Sequence, residues 1–105
     1  MTSKKPAKQK RAKLPRSSDH TKQFAKDWER LSHSGRYDMN RLKEAMLLLI
    51  ANDAPLPPEY IDHELTGEWK SFRECHIGGD FLLIYELQTD DGIIFTRTGT
   101  HADLF

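Results

Sequence analysis

Three of the five histidines stand where a small domain can gather titratable groups. His63 precedes a strand-like segment, His76 ends it four residues before Asp80, and His101 follows the last strand-like run. A free imidazole titrates near pH 6.5, so it can take or give a proton at neutrality, and a carboxylate beside it can orient the ring. Two turn geometries are open at Gly78-Gly79. A two-residue loop pairs Ile77 with Asp80 and puts His76 and Asp80 on opposite faces. A three-residue loop, Ile77 to Gly79, pairs His76 directly with Asp80 on one face. Arg73 and Arg97, read as lying on adjacent strands, can hold a phosphate by charge-assisted bonds. Histidine, aspartate and arginine without a nucleophilic serine or cysteine suit RNA cleavage. There the substrate brings its own 2′-OH, and the protein need supply only a base, an acid for the leaving 5′-oxygen and a cation for the phosphorane.

Each residue also has a plainer reading. Taken singly, His63, His76 and His101 are more often structural than catalytic, and His20 and His33, at helix ends, read as surface. Three histidines and an aspartate also make a zinc or iron ligand set, although no HExxH or CxxC pair is present. Cys75 excludes an internal disulfide, suits a reducing compartment and reads as a small buried strand residue.

The elements that must position these groups follow from periodicity. Ser17, Ser18 and Asp19 are good helix caps, and Phe24, Trp28 and Leu31 share one face of a helix expected over about 19–33. Lys22, Lys26 and Arg30 occupy its outer face, and Ser34-Gly35 ends it. Asp38 caps a second helix with Met39, Leu42, Met46, Leu49 and Ile50 on a stripe, stopped by Asn52-Asp53 and Pro55. Three strands follow: Trp69 to His76, the nearly all-apolar Phe81 to Leu87, and Ile93 to Thr98. The apolar run predicts a central strand covered on both faces. The architecture expected is α+β, a two-helix hairpin packed on an antiparallel sheet of three to four strands, in the order β-α-α-β-β-β. The sheet face away from the helices is expected to stay at least partly open, as a place for a ligand.

Formal net charge is zero over 105 residues, but the charge is segregated. Residues 1–16 carry seven basic residues and no acid, residues 20–43 six against three, and residues 44–105 three against twelve. A polyanion would be drawn to the tail and the first helices. The Lys-rich start is expected to be disordered, with a possible first strand near 11–16, where Pro15 would confine it to an edge. Residues 1–16 thus read as a tail and 17–105 as one domain. The longest apolar run, Ala45 to Ala51, is too short for a bilayer span of about 20 residues, and the basic start is not followed by a signal-like apolar stretch. The expected location is the cytoplasm.

Residues 62–70, from Asp62-His63-Glu64 to Glu68-Trp69-Lys70, then Arg73-Glu74-Cys75-His76 with Asp80, then Arg97-Thr98-Gly99-Thr100-His101-Ala102-Asp103-Leu104-Phe105, resemble the YafQ-type toxins of the RelE/ParE superfamily. Tyr37-Asp38-Met39-Asn40-Arg41-Leu42-Lys43 and Pro55-Leu56-Pro57 extend the resemblance, which covers about residues 17–105. It implies a toxin of a type II toxin–antitoxin system, a ribosome-dependent endoribonuclease that cuts mRNA in the A site and arrests translation. It implies a DinJ/RelB-type antitoxin as partner, with operator DNA reached only through that antitoxin, the 70S ribosome and mRNA as targets, no membrane, no cofactor and no metal. The catalytic set of such toxins falls on His63, His76, Asp80 and His101. Phe105 is expected to stack on a base, and Arg97 to meet the RNA phosphate or the antitoxin. His101 with Asp80 would move protons at the scissile phosphate, and His76 and His63 would orient it and stabilise charge. This chain departs from the family in its acidic residues 44–105 and in the basic tail where a tidy first strand would stand. A non-catalytic ParE-like relative, or another binding-only module, is the alternative, and ParE-like proteins lack the histidine set.

Overall fold

In the computed structural model, residues 14–105 are described; the start of the tail, and with it the disorder expected there, lies outside them. The strand expected near 11–16 is not formed over its described part, residues 14–16. Strand β1 is instead Ser18–His20, paired in parallel with the last strand, so that Ser18 stands opposite Ile93 and His20 opposite Phe95. The cap-rich Ser17-Ser18-Asp19 therefore serves a strand, and the cap moves to Thr21. Its hydroxyl accepts from Phe24 N–H at 2.9 Å and donates to the Thr96 carbonyl at 2.7 Å, joining helix start to sheet edge.

Helix α1 spans Lys22–Ser34 and ends at Gly35, whose φ of 70° is the left-handed turn that glycine adopts without a Cβ penalty. Helix α2 spans Met39–Ala51, with the Asp38 carboxylate accepting from Arg41 N–H as expected. Two 3₁₀ turns, Pro58–Tyr60 and Gly67–Trp69, flank the short strand β2, His63–Glu64. Strands β3 (Arg73–Gly78), β4 (Phe81–Leu87) and β5 (Ile93–Gly99) form the meander, and α3, His101–Leu104, closes the chain. Trp69 belongs to a turn and not to β3, because Phe72 N–H bonds back to the Trp69 carbonyl at 2.8 Å.

The sheet order is β1-β5-β4-β3-β2, five strands where three to four were expected, and mixed because β1 runs parallel to β5. The extra strands are two and three residues long and carry no apolar alternation, so local pattern cannot reveal them. On one face Cys75, Ile77, Leu83, Tyr85, Ile93 and Phe95 pack with Phe24, Leu31, Leu42 and Ala45 of the helices. On the other, Leu82, Ile84 and Leu104 meet Leu65, Trp69 and Phe72. Residues 81–85 of β4 are all buried, which is why this strand reads as continuously apolar. Burying one such side chain contributes about 1.5–3 kcal/mol. The cluster around Leu82 and Ile84 covers the second face along β4, and the histidines of β2, β3 and α3 stand beside it. No helix among the described residues is long and apolar enough to cross a membrane.

Candidate active site

Side chains two apart on a strand share a face, and partners across an antiparallel ladder do the same. Glu74 lies opposite Ile84 and His76 opposite Leu82, both leucine and isoleucine belonging to the second face. His63 lies opposite Glu74 on β2. These pairings put His63, Glu74 and His76 together on the face away from the helices. His101, the first residue of α3, completes a row: ring centroids are 6.2 Å apart for His63 and His76, 6.4 Å for His76 and His101. Phe105 continues it 5.9 Å from His101 and meets Trp69 edge-on at 5.4 Å.

Neither of the two turn geometries is the one formed. Gly78 pairs with Phe81, so the loop is Gly79-Asp80, and a bulge at Ile77 separates His76 from it. Gly79 takes the positive φ of 53° that this tight loop requires. Asp80, at the tip, pairs with His101 and not with His76. Its Oδ1 accepts from His101 Nδ1 at 2.5 Å and from the His101 backbone N–H at 3.1 Å. A proton therefore resides on Nδ1, and Nε2 is turned free of this contact. The bond from His101 holds the Asp80 carboxyl below the usual aspartate range, although both side chains are more than half exposed.

His63 is held from both sides. Nδ1 donates to the Ile61 carbonyl at 2.7 Å, and Nε2 lies 3.4 Å from Glu74 Oε2. Ile61 sits in the left-handed region at φ 50°, an uncommon conformation for a β-branched residue, which aims that carbonyl at the ring. His76 Nε2 is 3.5 Å from the same Glu74 oxygen. Glu74 is 5 % exposed, so one buried carboxylate faces two imidazoles. A lone pair on either Nε2 would repel it and a proton is attracted. Glu74 was not singled out from the sequence, though its place two residues before His76 was the available signal.

The two arginines are not brought together. β4 separates their strands, and they are on opposite faces. Arg73 lies opposite Tyr85 on the helix face and bonds Asp62 at 3.1 Å and the Tyr85 hydroxyl at 3.3 Å. The Tyr85 hydroxyl donates to Asp62 at 2.5 Å, and burial, then Asp62, pushes that phenol far up. Burial works against the Arg73 charge, but Asp62 and Tyr85 outweigh it. Arg97 grips Asp27 of α1 through Nε at 2.8 Å. Asp27, 1 % exposed, also accepts from Thr98 N–H at 3.2 Å. Burial raises its pKa, but the bonds from Arg97 and Thr98 prevail and hold it below the usual range. Arg30 then links Asp27 to Asp103 at 3.3 and 3.4 Å, and Asp103 caps Thr100 in a reciprocal box. A Cβ on Gly99 would stand 2.8 Å from Asp103 Oδ2, so the chain must be glycine there. This chain of contacts sets where His101 begins α3. Cys75 is fully buried and burial pushes its thiol up, in keeping with a core role. Among the described residues no group of three or more His, Cys, Asp or Glu is arranged to hold a metal.

Comparison with known proteins points the same way. Residues 16–105 match the family model described as a bacterial toxin of type II toxin-antitoxin system, YafQ. The chain is 47% identical over 92 residues to the mRNA interferase toxin YafQ of Escherichia coli K12, spanning 88% of this chain and 98% of that one. A crystal structure of YafQ from E. coli BL21(DE3) superposes with a TM-score of 0.77 at 46% identity, over 86% of this chain and 98% of that one. The crystal structure of the E. coli DinJ-YafQ complex does so at 0.75 and 47%, with the same coverage.

Proposed function

The chain belongs to the YafQ family of toxins of bacterial type II toxin–antitoxin systems, and from that premise we propose that it is an mRNA interferase whose reaction runs on the histidine row. Residues 17–105 act as the toxin domain, in the cytoplasm, on mRNA held in the A site of the 70S ribosome. The single observation that carries the chemical reading is the Asp80–His101 pair beside His63 and His76 on the sheet face away from the helices.

His101, with its Nδ1 proton committed to Asp80, presents Nε2 as the base that takes the proton from the substrate 2′-OH. The 2′-oxygen attacks the adjacent phosphorus, forming a cyclic phosphate as the bond to the 5′-oxygen breaks. His63 and His76, on either side of Glu74, face the phosphorane charge, and a proton passed through this pair goes to the departing 5′-oxygen. Phe105, 56 % exposed at the end of the row, offers its ring to a base. Arg97 acts mainly through Asp27, with its partly exposed guanidinium edge left for RNA or antitoxin. Arg73, on the other face, holds Asp62 and Tyr85 and is withdrawn from the substrate. Since a relative is solved with DinJ, we assign this chain a DinJ/RelB-type antitoxin as its inhibitor, which carries it to operator DNA.

The test is cleavage of a defined mRNA by purified protein, with and without programmed ribosomes, mapped by primer extension. Cuts that need ribosomes and vanish in His101→Ala are expected. No cut from folded protein in either case would move the chain to a binding-only role.

A further inference from the structure

Beside the catalytic row, and lined by none of its histidines, lies a cleft of about 430 Å³. Arg36, Tyr37, Asp38 and Arg41, from the α1–α2 connection and the start of α2, form one wall, and Asp80 and Thr100 belong to the other. The cleft therefore shares Asp80 with the proton-transfer pair. Its volume falls in the range of small-ligand sites, about 300–1,000 Å³. The exposed Arg36 guanidinium has no hydrogen bond or ion pair among the described residues; only its backbone N–H is engaged, with Ser34 Oγ at 3.2 Å. Arg41 is preset: Nε donates to the Ile77 carbonyl and the guanidinium lies 4.6 Å over the Tyr60 ring, while its terminal nitrogens carry no bond among the described residues. The half-buried Tyr37 ring rests against Phe81 at 5.1 Å. Both carboxylates already hold donors, Asp38 the Arg41 N–H and Asp80 the His101 pair.

A flat ring, two arginines with donors to spare and a wall in common with the reacting site match one occupant. We propose that this cleft binds the nucleotide next in the strand to the scissile phosphate, its base against Tyr37 and its phosphate on Arg36 and Arg41. The Asp80 charge repels a phosphate at its own end and leaves the arginines as the anion site. Residues 44–105 hold three basic residues against twelve acidic, so an RNA strand finds its cations on the helix side of the site, where this cleft opens. The inference rests on the endoribonuclease reading above, and the experiment separates the two.

The full chain is titrated by NMR with a ribohexanucleotide made uncleavable by 2′-O-methyl groups. Shifts are expected at the Tyr37, Gly78 and Thr100 amides, with affinity about tenfold weaker in Arg36→Ala and in Tyr37→Leu, which keeps an apolar side chain on Phe81. The same variants should flatten the base preference at one position beside the cut in ribosome-programmed cleavage. No shift at those amides at saturating oligonucleotide refutes the cleft, even if the histidine resonances move. Shifts there with RNA left uncut by the wild type would refute the endoribonuclease reading and keep the cleft. Weaker ribosome association with unchanged hexanucleotide affinity and unchanged base preference would overturn the proposal and assign Arg36 to ribosomal RNA.

Discussion

Replacing Asp80 tests whether orientation or charge is its contribution to His101. Oδ1 alone takes both bonds from His101, and Oδ2 has no partner among the described residues. In Asp80→Asn the amide oxygen can occupy the Oδ1 position and accept both donors, and its NH₂ then meets solvent. The Nδ1 tautomer and the ring direction survive, and only the charge is lost. Both side chains are more than half exposed, 55 % and 56 %, so that charge acts through screening water and is worth less than about tenfold in rate. Asp80→Ala removes both acceptors, frees the ring to rotate and to change tautomer, and should cost about 10²–10³-fold, the range for a general base that loses its positioning. The assay is single-turnover cleavage of ribosome-bound mRNA, with thermal melts showing that neither exposed change disturbs the fold. An Asn variant as impaired as the Ala variant would refute the orientation argument. An Ala variant with wild-type rate would remove Asp80 from the mechanism.

Asp27→Ala strands a buried Thr98 N–H and a half-buried Arg97, and should destabilise by about 2–4 kcal/mol, a fall in melting temperature on the order of 10–20 °C. Asp27→Asn, which can still accept from Thr98, should lose less, and a melt indistinguishable from wild type in both would contradict the clamp. Asp27, Asp80 and Asp103 all titrate below the ordinary aspartate value of 3.8 in the folded chain. Their stabilisation is then fully present above that value and lost as pH falls through the lower folded ones, so acid unfolding followed by circular dichroism should begin below about pH 4 and be shallower in Asp27→Asn. Glu74→Gln keeps the shape but not the charge between His63 and His76, and should slow cleavage about tenfold and alter its pH profile, which a merely structural role would leave in place. Phe105→Leu should weaken RNA binding about tenfold with an unchanged melt, and Phe105→Trp should retain it.

Much of this protein is legible along the chain because its elements carry local signals. The Asp38 cap, the Gly35 stop and the apolar run of β4 are each decided by neighbours within a few residues. The histidines and Asp80 could be picked out by residue type and place, and the family resemblance added Phe105. Pairings over long separations left no such mark. β1 exists because Ile93 and Phe95 offer an edge some 75 residues away, and it has no apolar pattern of its own. Asp27 reads as one more polar residue on α1, yet it is buried because Arg97 and Thr98 come to it from β5. The partner of Asp80 turned on a bulge at Ile77, a backbone choice that sequence left open between two alternatives and resolved as neither.

Residue types and spacing thus determined which chemistry was possible here: imidazoles and a carboxylate, with no nucleophile of the protein's own. Tertiary structure alone decided which groups meet. It kept Asp80 from His76, set Glu74 between His63 and His76, and turned Arg73 to the far face. The reason is physical: local conformational preferences act over a turn or two of chain, whereas strand register and bulges are settled by burial of both sheet faces at once, and a one-residue shift sends every side chain to the opposite face.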